Sequence, residues 1–283
     1  MSVTPLRASI RPPLVDGLFY PAKRDALSAM IDDLCGRSTT PAGASFAVIS
    51  PHAGYEYAGA VMAAAFRAIS LRPVRTAVLI GPVHRDPGHG IYLPESDAFG
   101  TPLGDIPVDT TAVAALCACD TAFRRYDLPH LEEHCLEVQL PFLAHLFPGL
   151  SIVPILVGGS DTATVAALTR GLRLTFEEGA PYTVFIVSAN MASYMTGKDP
   201  EAEEAALEGL LTGCNWKGVL EAAEKRRIST CGASGIAALL SLAGNGCRVQ
   251  ILARSSSGGV DADPSRIVHY AAVSLDWGGR PEG

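Results

Sequence analysis

The sequence predicts an α/β protein in which helices flank a central sheet that is mostly parallel or mixed. Short runs rich in β-branched residues end in Gly, Pro, Ser or Asn, as buried strands do. Ala- and Leu-rich stretches with helical spacing follow most of these runs. No Pro/Ser-rich linker, charge block or internal repeat divides the chain. We therefore expect a single domain over residues 1–283.

Strands and helices are predicted in alternation along the chain. The predicted strands are Phe46–Ser50, Arg75–Ile80, Ile152–Val157, Thr183–Ser188, Arg248–Ala253 and Tyr270–Leu275. The predicted helices are Lys23–Cys35, Gly59–Ile69, Thr111–Ala118, Leu136–Leu146, Thr162–Leu174, Ala202–Leu211, Trp216–Lys225 and Ala233–Ala243. The segment Arg85–Pro107 is rich in Gly and Pro and long for a connection, which indicates a functional loop or a hairpin excursion.

Composition and charge argue against several classes of protein. Lys+Arg 22 against Asp+Glu 29 gives a net charge of −7, and the densest basic run, Lys225–Arg227, follows acidic residues, so nucleic-acid binding is disfavoured. No apolar run reaches the roughly 18 residues of a membrane helix. Met1–Arg7 lacks the apolar region of a secretory signal, and the seven cysteines contain no Cys-x-x-Cys pair. We expect a cytoplasmic protein.

Two histidines stand directly after predicted strands. His52 follows the first strand in Ser50-Pro51-His52, and His84 follows the second in Gly81-Pro82-Val83-His84. Ligands of open α/β sheets bind outside the carboxyl ends of the strands. One such histidine is more often a hydrogen-bonded surface group. Two histidines at equivalent positions on neighbouring strands are expected to converge.

Cys231 is a third candidate because it lies just before the predicted helix Ala233–Ala243. Backbone N–H groups and the helix dipole stabilise a thiolate at such a position. An equally good interpretation is that the small residues around Cys231 only let the helix pack close to the sheet. Imidazoles and a thiolate together suit copper, zinc or iron, whereas magnesium and calcium prefer oxygen ligands.

Glu133 and His134 begin the charged segment that leads into the predicted helix Leu136–Leu146. Glu133 favours the helix dipole and is able to orient an imidazole. Glu137 fits a capped surface helix at least as well as a functional role. The remaining histidines have no comparable setting and are expected to be structural or exposed: His89, His130, His145 and His269.

Several short motifs together resemble one known family. They are Ser50-Pro51-His52-Ala53-Gly54-Tyr55, Gly81-Pro82-Val83-His84, Thr101-Pro102-Leu103-Gly104, Glu133-His134-Cys135-Leu136-Glu137-Val138-Gln139-Leu140-Pro141-Phe142 and Thr230-Cys231-Gly232, with Arg11-Pro12-Pro13 and Gly17-Leu18-Phe19-Tyr20-Pro21 at the N-terminus. In this order they resemble the Memo family, in bacteria and archaea often called AmmeMemoRadiSam system protein B. The match covers nearly the whole chain.

The resemblance implies a fold similar to that of LigB-type class III extradiol dioxygenases. It also implies a metal pocket of two histidines and a cysteine, which match His52, His84 and Cys231. One motif departs from the family: where members carry an Asp and a His, this chain has Asn190 and Ser193. Neither replacement titrates near neutrality, so ordinary ring-cleaving dioxygenase activity is not expected.

Three functions remain open from the sequence. The first is an oxidoreductase that holds one iron or copper ion, with zinc as a further option, and acts on a small molecule, with Glu133 and His134 as candidate catalytic residues. The second is a non-catalytic or regulatory protein that binds metal, a peptide or a small anion and works with AmmeMemoRadiSam partner proteins, which the change at Asn190 favours. The third is a metal-free cysteine hydrolase, ranked last because Cys231 does not lie on a nucleophile elbow.

Overall fold

The computed structural model describes residues 9–85, 90–176, 181–192, 199–258 and 267–277. The strands in these residues are β1 (Ile10–Arg11), β2 (Ala47–Ser50), β3 (Thr76–Pro82), β4 (Gly90–Leu93), β5 (Ala98–Phe99), β6 (Ile106–Pro107), β7 (Phe123–Arg125), β8 (Ser151–Gly158), β9 (Thr183–Ser188), β10 (Cys247–Ser256) and β11 (His269–Trp277). The α-helices are α1 (Arg24–Arg37), α2 (Tyr55–Arg67), α3 (Thr110–Cys119), α4 (Leu128–Glu132), α5 (Leu140–Leu146), α6 (Thr162–Thr175), α7 (Pro200–Thr212), α8 (Trp216–Glu224) and α9 (Ala233–Ala243).

A mixed sheet forms the centre of the molecule. Within the described ranges its strand order is β10-β11-β2-β9-β3-β8-β4-β7. Strands β2, β9, β3 and β8 run parallel, while β10, β11 and β4 add antiparallel pairings. A smaller sheet contains β1, β5 and β6. The predicted α/β fold with a mixed, helix-flanked sheet is therefore confirmed, and the single domain over residues 1–283 stays a prediction.

Burial explains why the central strands are almost wholly apolar. Every residue of β2 and β9 is buried, as expected of parallel strands covered on both faces. Helix α2 packs on β2, β10 and β11, and α9 packs on β3 and β9. None of the described helices combines the length and hydropathy that a membrane span requires.

One predicted segment takes one of its two expected forms, a hairpin, and another differs from the prediction. The excursion Arg85–Pro107 carries strand β4 and the antiparallel β5–β6 pair, whose two-residue strands are too short to show an alternating pattern. The predicted helix Leu136–Leu146 is divided into a 3-10 turn, Glu137–Gln139, and α5. Pro141 stands in the first turn of α5, where its missing N–H costs no helical hydrogen bond.

Glu137 corrects an expectation, because it is fully buried rather than exposed on a capped surface helix. Its carboxylate pairs with the guanidinium of Arg11 at 2.5 Å. It also accepts hydrogen bonds from the backbone N–H groups of Leu14 and Val15 and from the hydroxyl of Tyr20. Local pattern does not reveal this burial, because the partners of Glu137 lie more than 110 residues earlier. Glu137 thus ties the N-terminal segment to the centre of the chain.

Candidate metal centre

The candidate site lies at the carboxyl ends of β2, β9 and β3, which are adjacent and parallel. His52 follows β2 and His84 follows β3. Strand β9 stands between β2 and β3. The prediction that the two histidines follow directly neighbouring strands is therefore wrong. Their rings still converge, with centroids 5.2 Å apart. The two side chains meet across the end of β9.

Cys231 completes the group. The ligand atoms of His52, His84 and Cys231 all lie within 4.8 Å of one another, and Nε2 of His52 is 3.3 Å from Sγ of Cys231. His52 is 3% exposed, whereas the side chain of His84 is 33% exposed. The group is therefore closed on the side of His52 and open on the side of His84.

The hydrogen bonds of Ser188 fix the orientation and tautomer of His52. The Ser188 hydroxyl donates its single proton to the carbonyl oxygen of Cys135 at 2.6 Å. The 2.9 Å contact between Nδ1 of His52 and Oγ of Ser188 must then have Nδ1–H as its donor. Nδ1 is thus engaged as a donor, and Nε2 is the ring nitrogen that faces the sulfur of Cys231.

The carboxylate of Glu133 fixes the orientation of the His84 ring. It lies 2.7 Å from Nδ1 of His84 and accepts the backbone N–H groups of His84 and Arg85. An ionised carboxylate only accepts hydrogen bonds, so Nδ1 carries the proton and Nε2 is left for another ligand. Metal-binding histidines are commonly oriented by a carboxylate in this way. Glu133 thus has the geometry of an orienting residue, and its catalytic role stays a prediction.

His134 lies over the same group. Its ring centroid is 5.7 Å from those of both His52 and His84, and it stacks nearly parallel to His84 at 15°. The ring of Phe19 packs edge-on against it at 5.0 Å. Burial, followed by the nearby charges of His52 and His84, lowers the pKa of His134 to about 4. His134 is therefore a neutral imidazole at the edge of the site, and its catalytic role also stays a prediction.

In the metal-free site the proton is held by His84 rather than by Cys231. Burial alone would raise the pKa of Cys231, but the charge of His52 and hydrogen bonds from His52, His84 and the Asn190 N–H lower it to about 5. The hydrogen bond to Cys231, followed by that to Glu133, raises the pKa of His84 to about 10. A metal ion would have to displace this proton, so metal binding should release protons.

Small residues bring Cys231 to the histidines. A Cβ added to Gly232 would lie only 2.3 Å from Cβ of Ala189, the residue that follows β9. A Cβ on Gly81 would lie 2.8 Å from Sγ of Cys135. The packing interpretation of the residues around Cys231 therefore holds, and the same close packing carries the sulfur of Cys231 to within reach of His52.

Asn190, where the resemblance led us to expect an acid, contacts both His52 and Cys231. Its side-chain Oδ1 accepts the backbone N–H of His52 at 3.1 Å, and its own N–H donates to Sγ of Cys231 at 3.4 Å. Thr230 donates to its carbonyl oxygen at 2.6 Å. Asn190 thus holds the loops of two candidate ligands together. Ser193 lies outside the described residues.

A second group, His84 with Glu133 and Cys135, also has metal-ligand spacing. Cys135 is fully buried, and its thiol donates to the carbonyl oxygen of Pro82 at 3.3 Å. Burial raises the pKa of this thiol well above its ordinary value. Cys135 stays protonated, and Glu133 is already hydrogen-bonded to His84. This second group is therefore better suited to orient His84 for the first site than to bind a metal ion itself.

The remaining histidines lie away from this group, as the sequence predicts. His130 is buried and contacts the carbonyl oxygen of Tyr92. His145 pairs with Asp32, and His269 pairs with Glu204. His89 lies outside the described residues.

Two buried residues of the site were missed from the sequence. Ser188 orients His52, and Gln139 donates to the carbonyl oxygen of Pro51 at 2.8 Å and to Oγ of Ser188 at 3.1 Å. The position of Ser188 could have indicated its role, because Ser188 ends a predicted strand at the same sheet edge as His52. The position of Gln139 could not, since a polar residue in a helical segment is common and indicates no particular role.

Comparison with known proteins agrees with the motifs. The family model described as "Memo-like protein" matches residues 11–274. MEMO1 family proteins of Thermoplasma acidophilum and Archaeoglobus fulgidus are 31% and 34% identical, each over 93% of this chain and 97% and 98% of their own. An uncharacterized protein of Escherichia coli K12 has a solved structure with a TM-score of 0.41 and 11% identity, over 72% of this chain and 86% of that one. From the family match and the relatives, the chain belongs to the Memo-like family.

Proposed function

We propose that this protein is a metal-dependent oxidoreductase that binds one iron or copper ion, with zinc as a further option, and acts on a small molecule. His52, His84 and Cys231 would hold the ion. The observation that carries the proposal is that both imidazoles are fixed through Nδ1, so that each ring presents Nε2 to the sulfur of Cys231. Two imidazoles and a thiolate suit these metals.

The surroundings of the site support a reaction rather than a closed structural site. Three protein ligands leave coordination positions open, as catalytic sites do. When bound, iron or copper supplies one-electron redox chemistry. A cavity of about 660 Å³ has Cys231 in its lining and lies at the carboxyl ends of β3, β8 and β9. This cavity provides room for a small molecule next to the ligands.

Glu133 and His134 have separate roles in this proposal. Glu133 holds the ring of His84 and keeps Nδ1 protonated. His134 presents a neutral imidazole over the ligands, and no hydrogen bond reaches its ring within the described part of the chain. Its ring is therefore available for a hydrogen bond to a bound water or substrate, whereas its lowered pKa makes it a weak base near neutral pH.

A second candidate function is metal or ligand binding without catalysis, together with partner proteins of the AmmeMemoRadiSam type. The observation that favours it is Asn190, whose amide is engaged by the backbone of His52 and offers no acid or base. In that case a stable partner should co-purify with the protein. Persistent isolation of a lone protein that consumes dioxygen would exclude this function.

The contact between Cys231 and His52 also has the spacing of a cysteine nucleophile and its base. A metal-free cysteine hydrolase would keep its activity in the presence of a chelator. The metal-dependent enzyme would lose activity and regain it when iron or copper is restored.

Elemental analysis of protein purified under reducing, anaerobic conditions tests the proposal. The variant His52→Ala, Cys231→Ser removes two ligands, and His145→Ala, Cys119→Ser changes the same residue types away from the site. We expect about one metal ion per chain in the wild type and the control, and none in the site variant. Metal that remains in the site variant would refute the site. With the metal loaded, substrate-dependent dioxygen uptake or a spectral change separates the enzyme from the binding protein.

A further inference from the structure

A cavity of about 660 Å³ extends from Cys231 between the ends of β3 and β8 and the start of α9. We propose that this cavity binds small organic acids, with the carboxylate on Arg226 and the apolar body against the cavity wall, and that such an acid is the substrate of the metal centre. The identification as substrate rests on the function proposed above. The binding of the acid does not.

The walls of the cavity combine apolar and polar residues. Val83 and Ala223 are half-buried apolar residues of the lining, whereas Ile80 and Val187 are fully buried behind its surface. Such walls accept the hydrocarbon part of a ligand, as most small-molecule sites do. Because Cys231 also lines the cavity, a ligand seated there lies next to one of the three candidate metal ligands.

Arg226 is the one cationic side chain among the described residues that line the cavity, and the thiolate of Cys231 is the anionic one. The lining contains no Asp or Glu, and Arg226 has no ion pair within the described part of the chain. Its neighbour Arg227 differs, since it lies outside the lining and 3.6 Å from the carboxylate of Glu221. A guanidinium binds a carboxylate through two parallel hydrogen bonds. One cation without a second favours a singly charged carboxylate over a phosphate.

The backbone fixes Arg226 at this wall. Arg226 has a φ of 52°, a left-handed conformation that favours glycine, and its N–H donates to the carbonyl oxygen of Ala223 at 2.9 Å. Together with the 2.7 Å bond from the N–H of Arg227 to the carbonyl oxygen of Ala222, this bond closes the C-terminal end of α8, where a residue in this conformation is common. The first turn of α9 has no acidic residue and no side-chain cap, so its positive end adds to the potential of Arg226.

Two alkylating agents of nearly equal size test the proposal on metal-free protein. The sulfur of Cys231 displaces iodide from both iodoacetate, which carries a carboxylate, and iodoacetamide, which does not. The ratio of the two rates, followed by mass spectrometry of the peptide that contains Cys231, cancels the reactivity of the thiol. Arg226→Gln should lower this ratio about tenfold, the effect of one lost charge-assisted hydrogen bond. The matched control Arg227→Gln should leave it unchanged.

A ratio that does not change in Arg226→Gln, or that falls equally in Arg227→Gln, would overturn the proposal. The iodoacetamide rate serves as the folding control, because a damaged site alters both rates together. As a second measurement, hexanoate should protect Cys231 of the wild type from iodoacetamide, whereas equal protection by hexanamide would contradict a carboxylate site. Neither measurement requires metal, so their failure is distinguishable from a failure of metal binding.

Discussion

At the scale of single residues, each candidate imidazole ligand is oriented by one partner at Nδ1. Ser188 holds His52 and Glu133 holds His84. The two partners differ in charge, because a hydroxyl is neutral whereas a carboxylate increases the basicity of the ring it holds. His84 should therefore depend more strongly on its partner than His52 does.

Glu133→Gln should weaken metal binding about 10- to 100-fold, because the amide no longer supplies the charge that holds His84. The neighbouring Glu132 is exposed, so Glu132→Gln is the matched control and should bind metal as the wild type does. Competition with a chromophoric chelator measures both affinities. Equal affinities in the two variants would show that Glu133 does not orient a ligand.

The pH dependence of the reactivity of Cys231 gives a second prediction. With a pKa lowered to about 5, Cys231 of the metal-free protein stays a thiolate at higher pH and takes up a proton only as the pH falls through about 5. Its alkylation by iodoacetamide should be nearly constant from about pH 9 to pH 6, whereas an ordinary thiol with a pKa of about 8.5 slows across this range. His52→Ala should move the midpoint upward. A wild-type midpoint near that of an ordinary thiol would contradict the assigned hydrogen bonds.

The sequence singled out His52, His84 and Cys231 because each stands beside the end of a strand or the start of a helix, a position that local pattern reveals. Ser188 and Gln139 were missed, and for Glu137 a capped surface helix was held to fit at least as well as a functional role. The roles of these three residues depend on contacts with distant parts of the chain. Local spacing carries no information about such contacts.

At the scale of elements, the start of α9 must approach the end of β9 closely for Cys231 to reach His52. Gly232→Ala should destabilise the fold by about 1–3 kcal/mol and weaken metal binding, because the new Cβ would lie 2.3 Å from that of Ala189. Gly209 in α7 has nothing within 4 Å of an added Cβ. Gly209→Ala should therefore stabilise the protein by about 0.5–1 kcal/mol.

Urea unfolding and metal titration measure both glycine variants. If Gly232→Ala binds metal as tightly as the wild type, the close packing of α9 is not what positions Cys231. If Gly209→Ala also loses metal, the effect is general and does not come from the site.

The sequence located the long elements well and the short ones not at all. Helix α9 and strand β9 begin and end where the pattern predicts. Strands β1, β5 and β6 have two residues each, so no alternation of apolar and polar residues is visible in them. The strand order β2-β9-β3 could not be predicted from the sequence either, because strand order depends on the crossover connections between strands.

At the scale of the whole molecule, the buried pair of Arg11 and Glu137 joins the N-terminal segment to the segment that carries Glu133. Arg11 also donates to the backbone carbonyl oxygens of His130 and Glu133. The pair therefore supports the chain on which one orienting residue of the site depends.

Arg11→Met should cost about 3–5 kcal/mol of unfolding free energy, because it leaves the carboxylate of Glu137 buried without its cation. Glu137→Leu should cost a similar amount. The double variant should lose less than the sum of the two, since it buries neither charge alone. Urea unfolding of the four proteins measures this coupling, and strict additivity would show that the ion pair is not a unit.

The central claim is that two imidazoles and one thiolate bind a metal ion together. X-ray absorption spectroscopy of the iron- or copper-loaded protein tests it most directly, with Cys231→Ser as the comparison. We predict one sulfur neighbour at about 2.3 Å and two nitrogen neighbours nearer 2.0 Å in the wild type, with the sulfur absent from the variant. A wild-type spectrum with only nitrogen and oxygen neighbours, or a sulfur neighbour that persists in Cys231→Ser, would contradict the claim.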